Sequence, residues 1–143
     1  MSNGLLDGKV AVVTGASNGI GRAIAIAFAV QGASAVVLAD LDPEPRHGGP
    51  VTSEVIKAET PANPVVVTCD VSRAGDVDNA VAVAEDLGGL DVMVNNAGIA
   101  PDVPPWHRAP VRAVTRACRL PAMPQIAERY ARRHGRANAD SPI

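Results

Sequence analysis

The stretch KVAVVTGASNGIGRAIAIAFAVQG, residues 9–32, decides the fold of this chain. It begins with a short β-branched run that ends at Gly15, which is typical of a buried parallel strand. Residues at helical spacing follow, namely Ile20, Ile24, Ala27, Phe28 and Gln31. Gly32 supplies a C-terminal stop for this helix. The stretch therefore predicts a strand and a helix joined by a glycine-rich loop.

Three more strands are predicted, over residues 34–40, 64–70 and 90–95. Two helical segments separate them, VTSEVIKAE at 51–59 and SRAGDVDNAVAVAEDLGG at 72–89. The second segment has an apolar helical face, made of Val77, Ala80, Val81 and Ala84. Strands that alternate with helices predict right-handed crossovers and a parallel sheet. The predicted fold class is α/β, a Rossmann-like doubly wound parallel sheet truncated after the fourth strand, with an irregular or partly helical C-terminal tail.

Composition divides the chain into two unlike parts. The 143 residues are 47% hydrophobic and 20% charged, which predicts a soluble globular domain. Residues 1–100 hold 5 Lys+Arg against 12 Asp+Glu, whereas residues 101–143 hold 8 Arg, no Lys and 3 acids. Seven of the 12 prolines also lie in the second part. The overall charge of -2 gives no reason to expect nucleic acid as a partner.

The two cysteines, Cys69 and Cys118, form neither a C-x-x-C pair nor a metal-ligand cluster. Such sparse cysteine usage is typical of a reduced, cytoplasmic protein. The N-terminus has no apolar signal region, and no apolar run reaches membrane-spanning length. We therefore expect a cytoplasmic chain with no membrane partner. Cys69 lies within a predicted buried strand and is interpreted as a core residue, not a nucleophile.

The loop between the first strand and the first helix reads TGASNGIG, from Thr14 to Gly21. Its glycines let the backbone turn sharply and approach a ligand without an intervening Cβ. The helix that starts here directs free N–H groups and a positive dipole end at its N-terminus, which suits a pyrophosphate. Glycine-rich turns are common, so this pattern alone is a weak signal.

Asp40 strengthens the signal, because it ends the second strand nineteen residues after Gly21. A carboxylate there can accept hydrogen bonds from the adenosine ribose hydroxyls, and it repels a 2′-phosphate. Neither Asn18 nor Leu41 is a Lys or Arg that would attract that phosphate. The sequence therefore predicts NAD as the cofactor, in preference to NADP. Asp42 remains an alternative for the ribose contact, and a simple turn role remains an alternative for Asp40.

The sequence contains, in order, the glycine pattern T-G-x-x-x-G-I-G, the strand end CDV and the tetrapeptide NNAG. Through these motifs it resembles the short-chain dehydrogenase/reductase family over about residues 5–100. The resemblance implies an oxidoreductase that transfers a hydride between nicotinamide and an alcohol or carbonyl. It also implies that the glycine loop binds pyrophosphate, that Asp70 and the Val71 backbone bind adenine, and that Asn95 and the residues after it line the adenosine side and brace the sheet. The expected cofactor-binding residues are Gly15, Ser17, Asn18, Gly19, Ile20, Gly21, Asp40, Asp70, Val71, Asn96, Ala97 and Gly98.

The family's catalytic residues have no counterpart in this sequence. The resemblance calls for a Tyr and a Lys four residues apart, a Ser upstream and an Asn on the helix after the fourth strand. The only tyrosine is Tyr130, position 134 is His134, and no lysine follows Lys57. Ser141 and Asn138 both lie downstream of the tyrosine. We assign no catalytic residue and no metal ligand.

The segment from Pro101 onward carries a different pattern. Four arginines recur at helical spacing, namely Arg108, Arg112, Arg116 and Arg119. A basic face could bind nucleic acid or an anionic membrane, but Pro110 and Pro121 cut such a helix short, and we expect neither partner. Arginine without lysine, together with alanine and proline, also suggests G/C-rich coding DNA translated out of frame. Absence of a Tyr-x-x-x-Lys continuation in the other two frames would contradict this hypothesis.

Three functional hypotheses remain at this stage. The first is a dehydrogenase relic with residues 1–100 as the NAD-binding half and residues 101–143 as a tail without assigned function. The second is a non-catalytic NAD-binding or sensing module, or a partner subunit. The third is a basic interaction protein on a borrowed fold. The sequence does not give the substrate, and it leaves a homo-oligomer open because the family's usual interface elements follow the fourth strand.

Overall fold

A computed structural model of the chain describes residues 4–98. The elements alternate as the sequence predicts, in the order β1 (Val10–Thr14), α1 (Gly19–Val30), β2 (Ala35–Asp40), α2 (Thr52–Glu59), β3 (Asn63–Thr68), α3 (Ala74–Asp86) and β4 (Val92–Val94). The predictions made for Tyr130, His134, Cys118 and the arginine-rich segment concern residues outside this range.

All four strands are parallel and form one sheet in the order β3-β2-β1-β4. From β1 the chain moves outward through β2 and β3, then crosses back to place β4 on the other side of β1. The strand order therefore reverses next to β1, and open α/β sheets bind ligands at the carboxyl ends of the strands on either side of such a reversal. The predicted Rossmann-like parallel sheet is confirmed.

The two faces of the sheet are covered by different helices. Val12 and Val37 lie on the face that packs against α3, where Val81 is 1% exposed. The neighbouring strand residues lie on the opposite face with α1 and α2, where Ile56 is fully buried. The core consists of small aliphatic side chains, in a chain that contains one Trp, one Tyr and one Phe.

Helix α1 packs through smaller residues than its apolar pattern suggests. The residues that it buries are Gly21, Ala25 and Ala29, one position on from Ile20, Ile24 and Phe28. A glycine and two alanines let the helix axis approach the sheet closely, so the larger side chains are left at the flanks. Ile20 is 72% exposed as a result. This exposed residue lies in the first turn of the helix.

Two strands end earlier than the sequence predicts. β3 ends at Thr68, although the Cys69 N–H still donates to the Asp40 carbonyl oxygen at 2.8 Å. β4 covers only Val92–Val94, and beyond it the N–H groups of Asn96 and Ala97 bind the Thr14 hydroxyl oxygen and not the backbone of β1. Asp70 and Asn95 therefore lie in the turns just after their strands.

Cys69 is 2% exposed and packs within the core cluster on the α3 face, in agreement with its interpretation as a core residue. Burial raises the pKa of the Cys69 thiol, and the negative charges of Asp76 and Asp70 raise it further. Over residues 4–98, no helix is both long and apolar enough to cross a membrane.

Candidate functional site

Two glycines, one in the loop after β1 and one in the first turn of α1, allow close contacts that a side chain would prevent. Gly15 has φ +69°, and a Cβ there would come within 2.8 Å of the Asn96 Nδ2 atom. A Cβ on Gly21 would overlap the carbonyl oxygen of Gly15. The helix and the loop therefore touch backbone to backbone, which only glycine permits at these two positions. The Gly15 N–H also donates to the Ala39 carbonyl at 2.8 Å and ties the loop to β2.

The N-terminus of α1 leaves its first N–H groups free for a ligand. Asn18 is the N-cap residue, but its side chain makes no capping hydrogen bond. Instead its Oδ1 atom accepts the Arg46 N–H at 2.7 Å. Within residues 4–98 no acceptor binds the N–H groups of Gly19, Ile20 or Gly21, and the first turn contains no acidic residue. Such an end attracts an anion through its N–H groups and the helix dipole.

Asp40 lies against this loop, as the sequence predicts. Its Oδ2 atom accepts the Ser17 N–H at 2.9 Å, and its Oδ1 atom accepts the Leu41 N–H at 2.8 Å. A carboxylate offers about four acceptor positions, so each oxygen keeps capacity for a further donor. No Lys or Arg of the described chain forms an ion pair with it. Asp42, the alternative, accepts the Glu44 N–H, and within residues 4–98 no hydrogen bond joins it to the glycine loop.

The NNAG turn is fastened to the end of β1. The Thr14 Oγ1 atom accepts the N–H groups of Asn96 at 3.1 Å and Ala97 at 3.0 Å, and its own hydroxyl donates to the Val94 carbonyl. The Asn96 side-chain amide donates to the Thr14 carbonyl at 3.1 Å. These bonds join the carboxyl ends of β1 and β4. Within residues 4–98, a Cβ on Gly98 would meet no atom within 4 Å.

Asp70 belongs to a compact turn after β3. Its Oδ1 atom accepts the Ser72 hydroxyl at 2.6 Å and the Ser72 N–H at 2.9 Å, and the Arg73 Nε atom lies 3.5 Å from its Oδ2 atom. The Ser72 hydroxyl, and then the Ser72 N–H, lower the pKa of the Asp70 carboxyl. The Asp70 N–H donates to Asp76 at 2.9 Å. The Val71 N–H has no acceptor within residues 4–98.

The predicted site residues fall into two groups in the structure. Hydrogen bonds bring the glycine loop together with Asp40 and with Asn96. Asp70 and Val71 lie at the adjoining strand end, where the hydrogen bonds and the ion pair of Asp70 within residues 4–98 go to residues close in sequence. Sequence reasoning did not find the residues that support the first group, which are Thr14, Arg22, Arg46 and Thr52. Thr14 alone has a visible signal, since it is the polar end of an apolar strand.

Comparison with known proteins gives consistent matches. The family model for short chain dehydrogenase matches residues 9–119, which extends beyond Ala100 into the Pro/Arg-rich segment. Among the most similar relatives, hydroxyacyl-CoA dehydrogenase ChsB1 of Mycobacterium tuberculosis is 44% identical over 102 residues, covering 68% of this chain and 31% of the relative. D-threitol dehydrogenase of Mycolicibacterium smegmatis is 43% identical over 96 residues, covering 66% of this chain and 35% of the relative.

A solved structure agrees with these sequence matches. A short chain dehydrogenase from Mycobacterium smegmatis superimposes with a TM-score of 0.68 at 30% identity, covering 90% of this chain and 53% of that one. The chain spans about a third of the length of the curated relatives it matches. Together with the parallel strand order and the glycine loop, these matches show that the chain belongs to the short-chain dehydrogenase/reductase family.

Proposed function

We propose that residues 9–98 bind NAD at the carboxyl ends of the strands. The observation that carries this proposal is the Asp40 carboxylate, held against the glycine loop by the Ser17 N–H at 2.9 Å. This bond holds a carboxylate beside a helix N-terminus that has no side-chain cap. A dinucleotide joins ribose hydroxyls and a pyrophosphate covalently, so a site for it needs a carboxylate and a helix N-terminus side by side.

The described residues fit the parts of the dinucleotide. The free N–H groups of Gly19 and Ile20 would donate to the pyrophosphate, and the two Asp40 oxygens would accept the ribose hydroxyls. At the end of β3, the Asp70 carboxylate would accept the adenine amino group and the Val71 N–H would donate to a ring nitrogen. The exposed Ile20 side chain would be covered on binding. The nicotinamide ring of the bound cofactor supplies hydride acceptor or donor chemistry.

The preference for NAD over NADP rests on charge. A 2′-phosphate would meet the Asp40 carboxylate, which is not neutralised by any Lys or Arg in the described part of the chain. One observation favours NADP as a second candidate: Arg46 lies next to the glycine loop, because its N–H donates to Asn18. The Arg46→Ala variant is therefore expected to weaken any NADP binding while leaving NAD binding nearly unchanged.

We also propose that the 143 residues bind the dinucleotide without transferring a hydride. This proposal follows from the sequence, in which Tyr130 is followed four residues later by His134. The family's proton transfer needs a phenol whose pKa is lowered by a nearby lysine. Oxidation of any member of an alcohol panel by the purified chain, above background, would contradict this proposal. A non-catalytic NAD-binding module or partner subunit remains the alternative to a dehydrogenase relic.

Calorimetric titration of the Asp40→Ala variant tests the cofactor site. Losing hydrogen bonds to a charged acceptor costs roughly 1.5–3 kcal/mol, so NAD affinity should fall about tenfold to a hundredfold. NADP affinity should fall less or rise, because the repulsive carboxylate is gone.

Asp42→Ala is the matched control, since Asp42 is an exposed acid that bonds only Glu44 in the following turn. Its NAD affinity should equal that of the wild type. Equal NAD affinity of the Asp40→Ala variant and the wild type would show that Asp40 does not bind the ribose.

A further inference from the structure

One peptide unit of the glycine loop is held from both sides. The Ala16 carbonyl accepts the Thr52 hydroxyl at 2.8 Å, and the Ser17 N–H of the same unit donates to Asp40 at 2.9 Å. In a trans peptide the C=O and N–H bonds point in opposite directions. Thr52 and Asp40 therefore lie at opposite edges of one peptide unit, and together they fix its rotation.

Arg22 determines which way the Thr52 hydroxyl points. Its Nη1 atom donates to the Thr52 Oγ1 atom at 3.3 Å, and its Nη2 atom donates to the Pro50 carbonyl at 2.8 Å. A guanidinium is only a donor, so the Thr52 oxygen must act as its acceptor. The single hydroxyl proton is then directed at the Ala16 carbonyl. The three groups form a chain from α1 through α2 to the loop.

Burial makes this chain of hydrogen bonds matter. Thr52 is 2% exposed and Ala16 is fully buried, so the Ala16 carbonyl has no easy access to water. An unmatched buried carbonyl is costly, which leaves rotation of the peptide as the remaining way to satisfy it. Rotation would turn the Ser17 N–H away from Asp40. It would also displace the residues that begin α1.

Within residues 4–98, no acidic side chain forms an ion pair with Arg22. Residues 4–98 contain only two ion pairs, and neither includes Arg22. A positive charge in the first turns of a helix is unfavourable by itself, because the dipole is also positive there. A bound pyrophosphate would make the position of this positive charge favourable, because the phosphate charges are negative.

We infer that Thr52 is a positioning residue for the dinucleotide, which fixes the Ala16–Ser17 peptide so that the glycine loop and Asp40 are ready for the ligand. The inference rests on the proposed NAD binding. Thr52 does not touch the ligand in this account; it acts through the loop. Arg22 supports it by orienting the hydroxyl.

The test compares two valine substitutions in the full chain. Thr52→Val keeps the side-chain shape and removes the hydroxyl, and NAD affinity by calorimetry should fall about tenfold. Thr60→Val is the matched control, because the Thr60 hydroxyl also donates to a backbone carbonyl, that of Ile56, at 2.9 Å. It lies at the far end of α2 and should leave NAD affinity unchanged. Thr52→Ser should restore affinity to within about threefold of wild type.

Amide hydrogen exchange gives a readout that needs no cofactor. In the wild type and in Thr52→Ser the Ser17 amide should exchange slowly, and in Thr52→Val it should exchange at least about tenfold faster. Wild-type affinity and unchanged Ser17 protection in Thr52→Val would overturn the inference, as would equal losses of affinity in the two valine variants. A wild-type chain that binds no NAD would instead overturn the proposed function. In that case, faster Ser17 exchange in Thr52→Val than in the wild type would still show that Thr52 positions the loop.

Discussion

The two ends of the candidate site are built in different ways. At the glycine-loop end, hydrogen bonds join residues that are far apart in sequence, such as Ser17 with Asp40 and Thr14 with Asn96. At the carboxyl end of β3, the Asp70 side chain binds, within residues 4–98, only Ser72 and Arg73, which follow it within three residues. The first end is shaped by the assembly of the whole sheet, and the second by one local turn.

This difference predicts at which residues the free energy of unfolding and cofactor affinity should change together. A substitution at the glycine-loop end removes contacts between β1, β2, α2 and β4, so it should change the free energy of unfolding together with cofactor affinity. A substitution in the turn after β3 removes contacts within that one turn, so it should change affinity with little effect on the fold. The predictions that follow test this division, beginning with the largest expected effect.

Gly21→Ala should have the largest effect. A Cβ at this position overlaps the Gly15 carbonyl. Because the clash is between the α1 backbone and the loop backbone, neither can move aside as a flexible side chain could. Overpacking of this kind costs about 3 kcal/mol, which urea denaturation would measure. NAD binding should be lost to calorimetric detection, because the loop must move away from α1.

Gly75→Ala is the control for that substitution. Gly75 lies in the first turn of α3, and a Cβ there would meet nothing within 4 Å. Alanine is favoured over glycine within a helix by about 0.5–1 kcal/mol, so this variant should be as stable as the wild type or slightly more stable. A Gly21→Ala variant with the same stability as Gly75→Ala would contradict the close contact between α1 and the loop.

Thr14→Val should have an intermediate effect. The Thr14 oxygen accepts two N–H groups of the NNAG turn, and valine would leave both without an acceptor. We expect a loss of about 2 kcal/mol in the free energy of unfolding and a weaker affinity for NAD. Thr14→Ser keeps the hydroxyl and should lose less than half as much. Equal losses in the two variants would mean that the methyl group, not the oxygen, holds the turn.

Asp70→Asn should have the smallest effect on stability, and that effect should depend on pH. The Ser72 hydrogen bonds lower the pKa of the folded carboxyl below its ordinary value of 3.8. A lowered pKa contributes stability that is present above the ordinary value and is lost as the pH falls through the folded value. The wild type should therefore exceed the variant in stability near neutral pH, and the difference should shrink in acid. Urea denaturation near neutral pH and again in acid would measure this difference in stability. A difference that grows in acid would contradict the lowered pKa of Asp70.

Much of the fold could be predicted because its signals are local. The alternation of apolar runs with helical patterns predicted all seven described elements, and the helical connections between successive strands predicted a parallel sheet. The glycine loop and Asp40 could also be predicted, because a strand end and a following turn place both at one edge of the sheet.

The remaining features depend on contacts that no local pattern encodes. The sheet-facing side of α1 is set by how closely the helix approaches the sheet, so Gly21 and Ala25 are buried while Ile20 is exposed. Beyond β4, the Thr14 hydroxyl oxygen accepts N–H groups of the NNAG turn. Thr52 looks like an ordinary first residue of a helix, and its partner Ala16 lies 36 residues away.

Titration of NAD into the isotope-labelled chain, followed by amide chemical shifts, tests the central claim most directly. The account predicts saturable shifts concentrated at residues 17–21, at Asp40 and Leu41, and at Asp70 and Val71. Residues on the outer side of α3 should not move. Shifts that do not saturate, or that map away from the carboxyl ends of the strands, would contradict an NAD site in this chain.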